Sequence, residues 1–215
     1  MKKRKKALLV AFVLGDGYVQ VRPGQKTGTL RFCHSIQQKE YLQYKVDLLH
    51  SLIGGSPLVI REYTCNSYNN SWRQVRAEKA HRYFRILRSW MYPNKYNIKF
   101  LKYLTPEALA IWFMDDGSLI ANNRSQDGTV ISARTNIHTC TTKEIALEVC
   151  KYFLEVWDIK FTVFKENGGT YSIRCFHKEG KKFHDIIHPY IIPSMLYKQR
   201  FYYDTSAQPL QYKVR

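Results

Sequence analysis

The stretch LTPEALAIWFMDDGSL, residues 104–119, decides the fold of this chain. It starts as a helix, because Thr105 is a favoured N-cap residue and Pro106 suits the first helical position. An apolar body follows, and two adjacent carboxylates, Asp115 and Asp116, stand at its end. The C-terminal end of a helix carries partial negative charge, so acids are normally unfavourable there. Another feature of the protein must therefore compensate these two acids.

A second stretch, LLVAFVLGDG (8–17), has the same character, since it is an apolar helix that ends in an acid and a glycine. Its acid, Asp16, lies 100 positions before Asp116. The glycines that follow the two acids, Gly17 and Gly117, are expected to end both helices in the left-handed conformation. The two stretches thus predict a matched pair of helices.

The segments after the two acids match as well. Each acid is followed by a β-rich stretch, a helix that opens with Lys-Glu, a hairpin pattern and a further helix. Five elements in the same order indicate an internal duplication. The sequence therefore predicts an α+β fold of two pseudo-symmetric αββαββα repeats, residues 1–100 and 101–215.

The composition indicates the kind of partner. The 215 residues include 34 Lys and Arg against 17 Asp and Glu, which gives a formal net charge of +17. Such an excess favours a polyanion, with nucleic acid as the leading candidate and a merely solvated basic surface as the alternative. The five cysteines form no C-x-x-C pair, which argues against a disulfide framework or a zinc ribbon. The longest apolar run, Ala7–Leu14, is far shorter than the roughly 20 residues of a membrane span.

Both motif stretches resemble a known family. LVAFVLGDG (9–17) and LAIWFMDDG (109–117) are similar to the paired LAGLIDADG motifs of homing endonucleases and related intron maturases. The stretches YLTPEALAIWFMDDG (103–117) and HPYIIPSMLYK (188–198) are similar to segments of its double-motif, single-chain members. The resemblance implies the homing-endonuclease fold, in which the motif helices pack at the centre and antiparallel sheets form a DNA-binding saddle.

The resemblance also implies an active site. The final acid of each motif, Asp16 or Asp116, is expected to hold a divalent metal, with main-chain oxygens of Gly15 and Asp115 adding contacts. Two carboxylates and two negative helix poles would converge there, and cations would make this cluster tolerable. Mg²⁺ is the expected ion, with Mn²⁺ able to substitute. The Asp115 carboxylate, aligned with Gly15, is expected only to support the site.

A basic residue near each active site is a further property of the family. Lys198, in SMLYK, matches that position in the second half. In the first half Lys95, in MYPNKYNIK, is the best counterpart, with Lys99 as its competitor. These lysines are expected to order water or to stabilise developing negative charge.

The hairpins at 18–35, 58–78, 118–138 and 160–176 are expected to face the DNA. Their polar and basic side chains are the candidates for base or phosphate contacts: Gln20, Arg22, Arg31, Arg61, Arg73, Gln74, Arg76, Arg134, Asn136 and Arg174. Because the halves differ in sequence, the target is expected to be asymmetric and roughly 20 base pairs long.

The leading hypothesis is therefore a monomeric, Mg²⁺-dependent, site-specific DNA endonuclease that promotes the mobility of its own intron or gene. One alternative is an RNA maturase that assists the splicing of intron RNA on the same scaffold. Another is a DNA-binding regulator without catalysis, which both retained aspartates argue against. With no import peptide evident, the protein is expected in an organelle with its own genome, or in a prokaryotic or phage-infected cell.

Overall fold

A computed structural model describes residues 2–67, 70–126, 130–199 and 201. The chain divides into two compact units, residues 1–116 and 117–215. Each unit contains one four-stranded antiparallel sheet. None of the helices in the described part of the chain is both long and apolar enough to cross a membrane.

The first unit contains the sheet with strand order β1-β2-β4-β3 and both motif helices. A 3₁₀ turn, Ile36–Gln38, leads into its second helix. Its elements are α1 (Lys3–Leu14), β1 (Tyr18–Gln20), β2 (Gly28–Ser35), α2 (Lys39–Ile53), β3 (Arg61–Ser67), β4 (Asn70–His81), α3 (Arg82–Met91), α4 (Ile98–Leu101) and α5 (Pro106–Asp116).

The motif helices α1 and α5 pack against each other inside this unit. Near their N-terminal ends, the guanidinium of Arg4 donates two hydrogen bonds to the Glu107 carboxylate, at 2.8 and 2.7 Å. Near their C-terminal ends, the main-chain N–H of Asp16 donates to Asp115 Oδ2 at 3.1 Å. The helices are therefore parallel, and both C-termini lie at one end of the pair. This confirms the predicted packing of the motif helices.

The sheet of the first unit has two different faces. Leu30 and Phe32 of β2 and Val75 of β4 are buried on the face that α2 and α3 cover. The alternate residues point to the other face, where Arg31 and Arg76 lie. The alternation therefore leaves one face polar and basic, as predicted from the sequence.

The second unit repeats this plan, since its strand order is β5-β6-β8-β7. Two 3₁₀ helices, His188–Tyr190 and Pro193–Lys198, follow its last α-helix. Its other elements are β5 (Gly117–Arg124), β6 (Val130–Thr141), α6 (Lys143–Trp157), β7 (Thr162–Lys165), β8 (Tyr171–Phe176) and α7 (His177–Ile187).

The predicted order of elements is confirmed: α1 to α3 with β1 to β4, and α5 to α7 with β5 to β8, both read αββαββα. The compact units differ from the predicted sequence repeats, because α5 packs against α1 and so belongs to the first unit. The division into repeats 1–100 and 101–215 concerns duplication in the sequence and stays a prediction.

The expectation of left-handed glycines after the motif acids is wrong. The described glycines with φ in that region are Gly24, Gly54, Gly55 and Gly169. Gly17 is required by a close approach instead, because a Cβ there would lie 2.1 Å from the carbonyl oxygen of Phe12. The Gly17 N–H donates to that same oxygen at 2.8 Å. Packing, and not the sign of φ, therefore selects glycine at this position.

Candidate active site

The C-terminal ends of α1 and α5 hold three acids, which differ in their surroundings. The side chain of Asp115 is 0% exposed and forms an ion pair with Lys45 of α2, which is also 0% exposed. Lys45 Nζ lies 2.9 Å from Asp115 Oδ1 and 2.8 Å from Oδ2. The Asp16 carboxylate, in contrast, is 39% exposed. One acid is thus neutralised in the interior while another faces solvent.

Lys45 is held by aromatic rings and by a histidine. Its Nζ lies 4.6 Å from the centre of the Phe32 ring and 3.3 Å from His34 Nε2. An ammonium group can only donate, so Nε2 accepts and His34 carries its proton on Nδ1. That Nδ1 lies 3.2 Å from Gln38 Oε1 and 3.5 Å from Asp16 Oδ2. His34 therefore bridges Lys45 and Asp16.

The ion pair decides the charge of Asp115. Burial by itself raises the pKa of this carboxyl, but the charge of Lys45, the electrostatic effect of His34, and hydrogen bonds from Lys45 and Tyr41 outweigh it and hold the pKa below the ordinary value. Asp115 is therefore ionised at neutral pH, and Lys45 is its resident counter-ion.

A second lysine caps the end of α1. Lys95 Nζ donates to the carbonyl oxygens of Leu14, at 2.7 Å, and Gly15, at 3.4 Å. A cation at this position offsets the negative end of the helix dipole. Its competitor Lys99 lies exposed on α4. The structure thus brings Lys95 to the end of the first motif helix, and its role in the reaction stays a prediction.

These two lysines offset the negative charge at the C-terminal ends of the motif helices. Lys95 binds the terminal carbonyls of α1, and Lys45 binds the side chain of Asp115 in the last turn of α5. The expectation that bound cations make the cluster tolerable is therefore only part of the account, because the chain supplies two of the cations itself.

Close packing explains why the two motifs differ at the residue before the final acid. A Cβ built on Gly15 would lie 2.1 Å from Asp115 Oδ2. The Asp115 side chain thus occupies the space that a larger residue at position 15 would need. Glycine in the first motif and aspartate in the second are therefore complementary.

Three side chains at this end of the helix pair could contribute to a metal site. Ligand atoms of Asp16, His34 and Asp115 lie within 4.8 Å of one another. Lys45 already contacts both Asp115 oxygens and His34 Nε2, so these three atoms are engaged by an ammonium group. The Asp115 residue is nevertheless half-buried although its side chain is fully buried, which shows that its exposed part is the main chain.

The predicted ligands are oxygen atoms. They are the exposed Asp16 carboxylate, the half-buried Asp116 at the same end of the helix pair, and the main-chain carbonyls of Gly15 and Asp115. The Gly15 carbonyl also accepts a hydrogen bond from Lys95 at 3.4 Å. Hard oxygen donors of this kind suit Mg²⁺ or Mn²⁺. The predicted ligand set therefore fits a hard divalent ion, and the individual metal contacts stay predictions.

Lys198, the predicted partner of the second motif, belongs to the second unit. It is the last residue of the 3₁₀ helix Pro193–Lys198 and is half-buried. Its proposed role near the reaction centre stays a prediction.

Most of the predicted DNA contacts of the first unit share the outer sheet face. Strand pairing aligns Arg61 with Arg76 and Ser35 with Gln74. A concavity of about 720 Å³ extends along this face, and its lining includes Asp16, Arg31, Arg61 and Arg76. Gln20 follows on β1, and Arg22 is exposed in the turn after it. The basic face thus leads directly to the exposed acid of the first motif.

Arg73 differs from this group. It alternates with Gln74 along β4 and lies on the opposite face with Val75. Its guanidinium is 60% exposed and pairs with Glu62, which Lys39 also contacts. The prediction placed Arg73 together with Gln74 and Arg76, and the structure separates it from them.

In the second unit, Arg134, Asn136 and Arg174 share one sheet face, because Asn136 pairs with Arg174 across the two strands. The Arg174 guanidinium lies 3.7 Å from the centre of the Phe164 ring. Burial, with the nearby charge of Arg134, lowers the pKa of Arg174. Within the described ranges, the buried atoms Arg134 Nε, Arg174 Nε and Asn136 Oδ1 have no hydrogen-bond partner. This face therefore offers unused polar atoms to a ligand.

A hydrogen-bonded chain borders the same face. Asn136 Nδ2 donates to Ser118 Oγ at 3.5 Å, and Ser118 Oγ lies 3.1 Å from His138 Nε2. The other ring nitrogen, Nδ1, lies 2.7 Å from Glu166 Oε1. The face is therefore polar and partly held in place before any ligand binds.

Sequence reasoning missed His34 and Lys45. Both positions carried a signal: Lys45 lies on the apolar stripe of α2 with Leu42 and Leu49, and His34 occupies an inward position of β2 two residues after Phe32. A charged or polar side chain at a buried position must have a partner. Searching for that partner would have pointed to an acid elsewhere in the fold.

Several known proteins are similar to this chain. A probable intron-encoded endonuclease from Wickerhamomyces canadensis is 27% identical over 209 residues, which cover 94% of this chain and 86% of that protein. The DNA endonuclease I-ChuI from Chlamydomonas applanata is 23% identical over 218 residues, covering 92% and 95%. The structure of the homing endonuclease I-WcaI bound to its DNA recognition sequence superposes with a TM-score of 0.74 at 23% identity, covering 92% of this chain and 86% of that one.

This structural likeness shows the homing-endonuclease fold. The family model of the LAGLIDADG DNA endonucleases matches residues 6–183, most of the chain. The paired motif helices, the duplicated sheets and this match together show that the chain belongs to the LAGLIDADG DNA endonuclease family.

Proposed function

We propose that this protein is a homing endonuclease that cuts both strands of a long, asymmetric DNA site in the presence of Mg²⁺. The observation that carries the proposal is the position of Asp16, which is exposed at the paired helix ends and lines a concavity together with Arg31, Arg61 and Arg76. A phosphate attracted to these arginines would lie beside the predicted metal ligands. Family membership supports the same reaction.

DNA is the proposed partner of the two sheet faces. The net charge of +17 favours a polyanion, and arginine, glutamine and asparagine are the side chains that read base edges in the major groove. The first face offers Arg31, Gln74 and Arg76, whereas the second offers Arg134 and Asn136. Because the two faces carry different side chains, the proposed target is asymmetric, and its length is roughly 20 base pairs.

The proposed ligands of the metal are Asp16, Asp116 and the main-chain carbonyls of Gly15 and Asp115. When bound, Mg²⁺ supplies a coordinated water of lowered pKa and stabilises charge on the scissile phosphate. Lys95, fixed on the carbonyls of α1, is proposed to stabilise charge beside this site, and Lys198 to do so for the second strand. The biological consequence would be the copying of the intron or gene into uninterrupted target sites.

The test uses a duplex made from the two sequences that flank the coding gene, joined as in the uninterrupted site. Incubation with Mg²⁺ should give a staggered double-strand break, which chelation of the metal should prevent. The same flanks interrupted by the gene are the control and should stay intact. Absence of a break with both Mg²⁺ and Mn²⁺ would overturn the nuclease function.

Asp116→Asn should lower the cleavage rate by at least about 100-fold, because even outer-shell partners of a metal contribute 10–100-fold. Binding of the duplex in a gel-shift assay should be retained. A parallel loss of binding would reassign Asp116 to folding or recognition. If the wild-type protein leaves the DNA intact but promotes splicing of the intron RNA, the maturase alternative is correct.

A further inference from the structure

We propose that Lys45 is a positioning residue that fixes Asp16 through Asp115 and His34, and that this support biases the cleavage of one DNA strand over the other. The inference rests on the proposed endonuclease function. It concerns a buried ion pair that the predicted metal ligands and peripheral lysines do not include.

The first step is the chain of contacts. Lys45 holds both oxygens of Asp115, at 2.9 and 2.8 Å, and Asp115 Oδ2 accepts the main-chain N–H of Asp16 at 3.1 Å. On the other side, His34 joins Lys45 Nζ to the Asp16 carboxylate, with separations of 3.3 and 3.5 Å. Lys45 therefore reaches both the backbone and the side chain of the same catalytic candidate.

The second step is the rigidity of these contacts. The side chains of Lys45 and Asp115 are 0% exposed, and that of His34 is 1% exposed. Buried polar groups that satisfy one another keep a single geometry, because moving any one of them leaves another without its partner. The exposed carboxylate of Asp16 is thus held by side chains that have fixed positions.

The third step is the asymmetry of the support. Asp115 aligns with Gly15 of the first motif. Lys45 and Val149 are each the seventh residue of helices that begin with Lys-Glu and have 15 residues. Each buried charge of the ion pair therefore aligns with an uncharged residue in the other half.

The histidine is repeated, but its contacts are not. Counting back from the shared Lys-Glu, His34 corresponds to His138. His34 lies between Lys45 and Asp16, whereas His138 lies 3.1 Å from Ser118 Oγ and 2.7 Å from Glu166 Oε1. The ion pair of Lys45 and Asp115 thus has no charged counterpart at the aligned positions of the other half. Because the ion pair positions Asp16, its removal should change the cleavage rates of the two DNA strands by different factors.

The experiment compares two double variants on the joined-flank duplex, with a different fluorophore on each strand. Lys45→Met with Asp115→Ala removes both charges and the acceptor of the Asp16 N–H. Lys45→Met with Asp115→Asn removes both charges but keeps an amide oxygen. Removing both partners avoids a lone buried charge, so both proteins should fold. Lys151→Met, which removes an exposed lysine of an ion pair on α6, is the matched control.

In the alanine variant, the ratio of the two strand cleavage rates should change by about tenfold or more, and nicked DNA should accumulate. The asparagine variant should give a smaller change, and the Lys151 control should keep the wild-type ratio. A ratio within twofold of wild type in the alanine variant overturns the proposal, even if both strands slow. A general loss of stability would slow both strands equally and leave the ratio unchanged.

A second measurement needs no cleavage. The amide proton of Asp16 should exchange slowly with solvent in the wild-type protein and at least about tenfold faster in the alanine variant, because its acceptor is lost. Unchanged exchange would overturn the proposed contact. If the wild-type protein does not cut DNA but shows this protection, the endonuclease function fails while the positioning of Asp16 stands.

Discussion

The two units stabilise their buried polar groups in opposite ways. In the first unit, Lys45 and Asp115 are both charged and neutralise each other in the interior. In the second unit, His184 is buried and neutral, since burial lowers its pKa to about 3, and its Nε2 lies 3.1 Å from Thr135 Oγ1. Burying a charged pair costs more desolvation free energy than burying a neutral hydrogen bond. The charged pair, however, orients the polar groups that contact it. The ion pair, which costs more to bury, occurs in the unit where it contacts the exposed Asp16.

The difference shows how a duplicated scaffold becomes specialised. Both halves keep the order of helices and strands and the final Asp-Gly of the motif. The residues that support the motif ends have diverged, because Lys95 binds main-chain carbonyls of α1 while Lys45 binds a side chain of α5. The motif acids are thus shared between the halves, and the residues that contact the motif ends are not.

The largest expected effect on stability comes from breaking the charged pair on one side. Lys45→Met should lower the free energy of unfolding by about 3–5 kcal/mol, because it leaves the Asp115 carboxylate buried without its counter-ion. Urea unfolding followed by tryptophan fluorescence measures the change. Adding Asp115→Ala to Lys45→Met should recover most of the loss. A single variant as stable as wild type would show that the pair is not buried as described.

The next largest effect is the pH dependence of stability, which should differ between the buried polar groups of the two units. His184 has an ordinary pKa of 6.5 and a folded value of about 3, so the unfolded chain binds a proton first as the pH falls. Stability is therefore complete above pH 6.5 and is lost below it, at about 1.4 kcal/mol per pH unit. The lowered pKa of Asp115 acts in the same direction but at lower pH, since its stabilising charge is lost only below its ordinary value of 3.8. Between pH 6.5 and 4.5, His184 should therefore account for most of the change in the free energy of unfolding that these two groups cause.

Unfolding of wild type and His184→Gln at pH 7.5 and 4.5 tests this difference. The wild-type protein should lose about 2–3 kcal/mol between these two values, and the variant should lose clearly less. Lys151→Met, which leaves His184 in place, is the control and should follow the wild-type curve. Equal pH dependence in His184→Gln and wild type would contradict a neutral buried histidine.

A smaller effect should come from the close approach of the motif ends. Gly15→Ala places a Cβ 2.1 Å from Asp115 Oδ2, which should cost about 1–3 kcal/mol of stability through overpacking. A Cβ at position 15 would also lie 2.6 Å from the Cβ of Asp115, so the rescue needs glycine at position 115. Adding Gly15→Ala to the pair Asp115→Gly and Lys45→Met should therefore cost much less than adding Gly15→Ala to wild type. An additive loss would show that the clash lies elsewhere.

Local signals in the sequence were enough for the order of elements. The predicted N-cap is confirmed, because Thr105 Oγ1 accepts the N–H of Ala108 at 3.3 Å. Helix periodicity, strand alternation and caps depend on neighbouring residues, so one sequence reveals them. The paired motifs also placed Asp16 and Asp116 at parallel helix ends, as the structure does.

The support of the site needed information that is not local. Lys45 meets an acid 70 positions away, and no periodicity predicts that pairing. The left-handed conformation expected for Gly17 failed for a different, local reason, because the carbonyl oxygen of Phe12, five residues earlier, occupies the space that a Cβ would need. Arg73 is a different case, since strict alternation along β4 already separates it from Gln74. The position of Arg73 on the opposite face was therefore predictable from the sequence.

The fit of Asp115 into the space left by Gly15 has a consequence for engineering. Two copies of the first half would bring Gly15 against Gly15, with Lys45 unneutralised on each side. Two copies of the second half would bring Asp115 against Asp115, with Val149 in place of each lysine. In hybrid nucleases made by exchanging halves, the residues at positions 15, 34, 45 and 115 should therefore be transferred together from one parent protein. The specialised contact has turned a formerly symmetric pair into two parts that are no longer interchangeable.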